Sequence, residues 1–207
     1  MNARYNRYKH HRHSIRLNGY DYSRPGLYFI TICVRNRECI LSEINMQAVI
    51  LTNFGKILEK FWLQLPQHFN NVQLDTYVIM PNHLHGIINI IFDKKGVNPV
   101  AAIPAGAIHE LPLLEIMNNE SQSMESAQTP NWRDRRKMLL ARMIGYFKIN
   151  SAKEINLIQD ISGLSFWQRN YYEHIIRDES ELIQIRRYIK DNPRHWLDDE
   201  NNPINIK

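Results

Sequence analysis

The sequence predicts an α+β domain built on an antiparallel sheet, and three observations carry that reading. Apolar runs rich in β-branched and aromatic residues alternate with stretches whose apolar residues recur at helical spacing. Proline, glycine and asparagine punctuate the boundaries between them. At 207 residues and 43% apolar composition, the chain is long enough for one ordinary domain with a real core.

Taken in order, GYDYSRPG is a turn-rich lead into LYFITICV, a buried strand ending at Arg35-Asn36-Arg37. Between about 43 and 66, Ile44, Ala48, Ile50, Leu51, Phe54, Ile57, Leu58, Phe61 and Trp62 recur at helical spacing, which predicts a crossover helix stopped by Pro66. VQLDTYVIM and LHGIINIIF are two further strands, separated by Pro81-Asn82 and expected to pair antiparallel. Residues 94–130, with four prolines and a polar Ser/Gln/Asn/Glu end, read as a mobile insertion. Helical pattern returns in WRDRRKMLLARMIGYFKINSAKEI, where Met138, Leu139, Arg142, Met143, Tyr146 and Phe147 trace one mixed face. WQRNYYEHIIR is a fourth strand, and DESELIQIRRYIKDNP a final helix with Asp178 or Ser180 near its start and Pro193 beyond its end. The order β-α-β-β-α-β-α is that of the ferredoxin-like split βαβ plan, helices on one face, with an added C-terminal helix that carries Tyr188. The whole of 1–207 is expected to be a single domain, with 1–16 as a basic tail.

Composition excludes several classes. The apolar content argues against a mainly disordered chain, and no run reaches the roughly 18 apolar residues a membrane span needs. The first sixteen residues lack the apolar centre of a signal peptide, so a cytoplasmic protein with no membrane partner is expected. Cys33 and Cys39 are too few for a disulfide framework and form no CxxC pair, which fits a reducing compartment.

Charge points to a polyanionic partner. Lys and Arg number 26 against 21 Asp and Glu, a formal net charge of +5, and the excess is clustered. Residues 1–16 hold Arg4, Arg7, Lys9, Arg12 and Arg16 with no acid, and residues 133–153 hold seven basic side chains against Asp134 alone. Tyr5, Tyr8, Tyr146 and Phe147 interleave with them, a pattern suited to a phosphate backbone with stackable bases. A solvated face and a frayed tail would look the same in sequence.

Two strings carry chemistry. In Met80-Pro-Asn-His83-Leu84-His85-Gly, strand periodicity puts His83 and His85 on one face, where two neutral imidazoles can share a divalent cation. Two histidines that only end a strand are the alternative, and a cation needs a third ligand. In the last helix Tyr188 and Asn192 stand four residues apart, one above the other on one face, so phenol and carboxamide can reach a common site. By themselves they also read as a half-buried aromatic and a helix end before proline. Tyr171 and Tyr172 compete for a nucleophile's role, but neither has an amide side chain four residues on.

Together, GYDYSRPGLYFITICVRNRE, MPNHLHGIINI and FWQRNYYEHIIRDESELIQIRRYIKDNPRHW resemble the HUH single-tyrosine transposases, and within these the REP-associated tyrosine transposases related to the insertion-sequence-200 type. The resemblance spans nearly the whole chain, with 94–130 unmatched. It implies the ferredoxin-like fold, His83, His85 and Asn192 as ligands of Mg²⁺ or Mn²⁺, and Tyr188 as the nucleophile. Asparagine at 192, where some relatives carry glutamine, keeps the amide oxygen on a shorter arm. The activity implied is cleavage and rejoining of single-stranded DNA beside a palindromic hairpin through a 5′-phosphotyrosine link, in the nucleoid, by a monomer or a homodimer. Arg12, Arg16, Arg35, Arg37, Arg135, Arg136, Lys137, Arg142, Lys148, Arg169 and Arg187 are candidates for the DNA surface. Arg177, Arg186 and Arg194 can add to it or form surface ion pairs instead. His174 is expected to pack behind the site. A catalytically silent hairpin binder and a water-activating phosphoester hydrolase are the competing functions.

Overall fold

The computed structural model describes residues 20–92, 136–161 and 163–205. The tail at 1–16 and the segment 94–130, and with them Arg12, Arg16 and Arg135, lie outside the described residues. In chain order the elements are β1 (Gly26–Cys33), β2 (Ser42–Asn45), β3 (Ala48–Leu51), α1 (Asn53–Leu63), the one-turn α2 (Leu65–His68), β4 (Val72–Ile79), β5 (His83–Ile90), α3 (Leu139–Ile158), β6 (Tyr172–Ile176) and α4 (Glu179–Asp191). A 3-10 segment, Asn192–Asp198, continues from α4.

The main sheet runs β4-β5-β1-β6, with every neighbouring pair antiparallel. The first and second sheet strands, joined through α1, are separated in space by the third, and the fourth closes the other side of the first. That is the split βαβ topology expected from the order of runs. Among the described residues β2 and β3 pair only with each other.

Strand alternation divides the sheet into two unequal faces. Tyr28, Ile30 and Ile32 of β1 and Leu84 and Ile88 of β5 enter the larger core with Trp62 of α1 and Met143, Ile144 and Phe147 of α3. Gly86 belongs to this face, where a Cβ would lie 2.4 Å from Trp62 Cζ2; the indole seats directly on the strand backbone. The opposite face holds a small second core of Phe29, Ile87 and Ile176 under Leu182 and Ile189 of α4. The expectation of helices on one face therefore holds for α1 and α3, whereas α4 covers the other side.

The helix expected from about 43 to 66 is corrected. Residues 42–51 form the β2–β3 hairpin, turning through Met46 and Gln47 at φ 46° and 69°, and α1 starts only after Thr52, whose hydroxyl accepts from Gly55 N–H. Ile44, Ala48 and Ile50 fit a helical stripe by accident of spacing. Pro66 likewise opens α2 rather than closing a helix, since a proline at the first turn forfeits no hydrogen bond. α3 starts at Leu139, so Arg136 and Lys137 precede it; it buries Met143 and Phe147 of the expected face together with Leu140 and Ile144, and Arg142 is exposed. Asp178, one of the two expected starts of α4, is its N-cap, accepting from Glu181 N–H at 2.8 Å.

Candidate functional site

The site forms where β5 begins, on the sheet face that α4 covers. Register sets His85 beside Thr31 and His83 beside Cys33 of β1, and both imidazoles are buried. Their Nε2 atoms face each other at 3.0 Å, with ring centroids 4.5 Å apart. His83 Nδ1 meets Asn82 Oδ1 at 2.8 Å, and His85 Nδ1 meets Thr31 Oγ1 at 2.8 Å. Burial pulls the His83 pKa down to about 3, helped by the Arg37 charge; burial and then its neighbour His83 hold His85 well below the ordinary imidazole value. Both rings are therefore neutral at pH 7, the state in which imidazole binds metal.

Tyr188 comes from α4. Its hydroxyl lies 3.3 Å from His85 Nε2, and its ring packs edge-on against His85 and Phe29. Burial of the phenol and then the Asp199 carboxylate raise its pKa, against a lowering from the Asn192 side chain beside it. Asn192, at the end of α4, is 4% exposed, and its Oδ1 finds no hydrogen-bond partner among the described residues. Of the helix pair, Tyr188 thus meets the strand pair within one chain, and Asn192 lies beside Tyr188.

Asp199 was not singled out from the sequence. It follows the 3-10 segment, with a side chain 5% exposed and Oδ2 3.8 Å from His83 Nε2, and ligand atoms of His83, His85 and Asp199 lie within 4.8 Å of one another. No local pattern marks it in Trp196-Leu197-Asp198-Asp199-Glu200, which reads as a solvated acidic end. Two neutral imidazoles and one carboxylate are a donor set that can hold a divalent ion.

The tyrosine alternatives separate by face. Tyr171 packs against the larger core, and Tyr172, against Phe29, is the one on the histidine side. His174 ties β6 to α4, its Nε2 2.5 Å from Glu181 Oε1. Among the basic candidates, Arg35, Arg142, Arg169 and Arg187 are exposed. Arg37 donates to the Glu200 carbonyl near the site. Arg136 and Lys137 lie ahead of α3, away from the imidazole pair in sequence. Lys148 turns inward: Nζ donates to the Gln168 carbonyl at 2.5 Å, with those of Arg169 and Asn170 at 3.4 Å, and burial pushes its pKa down to about 8. Arg186 and Arg194 are in ion pairs with Asp75 and Asp191.

Fold and site together define a ferredoxin-like α+β protein with a buried His-His-Asp cluster beneath a tyrosine-bearing helix. A protein of Haemophilus influenzae described as uncharacterized is 38% identical over 200 residues, covering 97% of this chain and 98% of its own length, and the chain belongs to the same family. No family model matches the chain. Among solved structures, that of a REP-associated tyrosine transposase bound to a REP hairpin aligns with a TM-score of 0.49 at 16% identity, over 86% of this chain and 71% of that one. A candidate transposase of Deinococcus radiodurans R1 aligns with a TM-score of 0.38 at 14% identity, over 81% of this chain and 91% of that one. Among the described residues no helix is long and apolar enough to cross a membrane.

Proposed function

We propose that this protein is a metal-dependent transposase of the HUH single-tyrosine class, of the REP-associated kind, which cuts and rejoins single-stranded DNA beside palindromic hairpins. The observation that carries the reading is the 3.3 Å approach of the Tyr188 hydroxyl to His85 Nε2, itself 3.0 Å from His83 Nε2. The phenol hydroxyl thereby faces two buried neutral imidazoles beside a carboxylate, where an attacking oxygen is needed.

In this reading His83, His85 and Asp199 hold Mg²⁺ or Mn²⁺, with Asn192 Oδ1 as a further oxygen donor. When bound, the cation supplies positive charge to a non-bridging oxygen of the scissile phosphate and offsets the charge that grows in the transition state. Tyr188 is a protonated phenol in the free protein, its pKa raised by burial and by Asp199. Its Oη then bonds to phosphorus, the P–O3′ bond breaks, and the phenolic proton is balanced by protonation of the departing 3′-oxygen. The product is a 5′-phosphotyrosine and a free 3′-hydroxyl; attack of that hydroxyl on the tyrosyl ester reverses the steps and rejoins strands without a nucleotide cofactor. Arg35, Arg37, Arg169 and Arg187, and the basic residues of 1–16 and 133–153 other than the inward-turned Lys148, contribute the electrostatic attraction that a single strand requires. Action on chromosomal DNA puts the protein in the cytoplasm, at the nucleoid.

The test is a labelled single-stranded hairpin incubated with the protein and Mn²⁺. An SDS-stable protein–DNA adduct is expected from the wild type and none from Tyr188→Phe. An adduct persisting in that variant overturns the assignment of the nucleophile. Hairpin binding that forms no adduct and is indifferent to His83→Ala/His85→Ala would leave a silent DNA-binding protein.

A further inference from the structure

Asn82 stands immediately before β5, fully buried, and its side chain is satisfied at both ends. Nδ2 donates to the backbone carbonyls of Arg37 at 3.0 Å and Asn201 at 2.8 Å. Oδ1 lies 2.8 Å from His83 Nδ1. A backbone carbonyl only accepts, so the end of the carboxamide that meets two carbonyls is its amine and the end that meets the ring is its oxygen. The ring nitrogen facing that oxygen carries the proton. His83 Nε2 is left with its lone pair, directed at His85 Nε2.

His85 is held by a different kind of partner. Thr31 Oγ1, 2.8 Å from His85 Nδ1, is a hydroxyl that can donate or accept. Without an ion, the 3.0 Å approach of the two Nε2 atoms is a hydrogen bond when His85 Nε2–H donates to His83, and Thr31 then donates to His85 Nδ1. With an ion between the rings, both Nε2 lone pairs are needed. His83 already presents one; His85 presents its own once its proton sits on Nδ1 and Thr31 accepts it. The proton leaves one nitrogen of the ring and is regained at the other through water, so His85 is neutral before and after.

We infer that Asn82 is a positioning residue: one carboxamide fixes His83 as the Nδ1-protonated tautomer and docks the Asn201 carbonyl, two residues beyond Asp199, so that ion binding changes the tautomer of His85 alone. The inference rests on the reading of this cluster as an ion site. Carboxamide and hydroxyl partners of this kind are general determinants of which imidazole nitrogen is free to ligate.

Long-range ¹⁵N–¹H correlation spectra of the full chain, with ¹⁵N-labelled histidine, test it. In ion-free protein His83 is expected to show a pyrrole-type Nδ1 and a pyridine-type Nε2, and His85 the reverse. Saturating Mg²⁺ should invert His85 and leave the His83 pattern in place. A pyrrole-type Nε2 on His83 in ion-free protein overturns the lock by Asn82, and a His85 that shifts with Mg²⁺ but keeps its tautomer overturns the exchange. If Mg²⁺ moves neither ring, the ion-site reading fails and the His85 change with it, while the ion-free spectrum still decides the His83 lock. Asn82→Ala should lose the His83 pattern and weaken Mn²⁺ binding about 10- to 100-fold. Wild-type Mn²⁺ affinity in folded Asn82→Ala would overturn the positioning role.

Discussion

Arg186 and Asp75 meet in a two-pronged ion pair, with Nε donating to Oδ1 at 3.0 Å and Nη2 to Oδ2 at 2.6 Å. The carboxylate sits where β4 slips register between Leu74 and Tyr77, so a bulge turns it toward α4. Arg186 is two residues ahead of Tyr188, and the pair fixes the tyrosine helix against the sheet edge. Burial works against the Asp75 charge, but hydrogen bonds from Arg186 and from Thr76 N–H and hydroxyl outweigh it and lower its pKa.

Asp75→Asn should therefore cost about 1–3 kcal/mol of stability at pH 7. A lowered native carboxylate pKa stabilises the fold above the ordinary carboxylate range, and that contribution disappears as pH falls through the lowered value. Urea unfolding across a pH series should show the gap between wild type and variant closing on acidification. A gap that does not narrow would mean the ion pair is not its source.

Ion removal should be visible as lost stability. A ligand that binds only the folded chain stabilises it by about 2.7 kcal/mol at a concentration 100 times its Kd. Mn²⁺ should accordingly raise the Tm of the wild type, and His83→Ala/His85→Ala should abolish the rise. Asp199→Asn should reduce it, since an amide keeps an oxygen without the charge. An undiminished rise in the double variant would place the ion elsewhere.

Gly86→Ala should destabilise by about 1–3 kcal/mol through overpacking, because the added methyl meets the Trp62 ring across the larger core. Pairing it with Trp62→Leu should recover part of that loss, read as a coupling term in a double-mutant cycle. Two additive losses would show that the strand shifts instead of the indole.

Ser151 joins α3 to the segment ahead of β6: its buried hydroxyl donates to the Phe147 carbonyl at 2.6 Å and accepts from Trp167 Nε1–H at 3.1 Å. Ser151→Ala leaves that indole N–H buried without its acceptor, at a cost of about 1–3 kcal/mol by chemical unfolding. An unchanged unfolding midpoint would mean Trp167 has found another acceptor.

The sheet topology was legible because each strand is a period-two or wholly apolar run and each crossover a helical stripe, so their order alone named the plan. His83 and His85 were legible by the same period, and Tyr188 with Asn192 by the four-residue pitch of a helix. The β2–β3 hairpin was not, because Ile44, Ala48 and Leu51 fall at helical spacing and the deciding backbone turn at Met46 and Gln47 involves no glycine. Asp199 was hidden for a different reason. Its position follows from Asn82 gripping the Asn201 carbonyl and Cys33 Sγ approaching Asn201 Oδ1 at 3.8 Å, contacts between segments far apart in the chain.

The two faces of the sheet carry apolar cores of unequal size, and the candidate site lies on the smaller one. α4 is retained by Leu182 and Ile189 over Phe29, Ile87 and Ile176, and by the tie to Asp75, whereas the opposite layers share the large aromatic core around Trp62 and Phe147. Partial opening of such a molecule begins where least apolar area is surrendered. Amide exchange should run faster along α4, which carries the Tyr188 phenol, than along β1 and β5, which hold the imidazoles in the ribbon beneath.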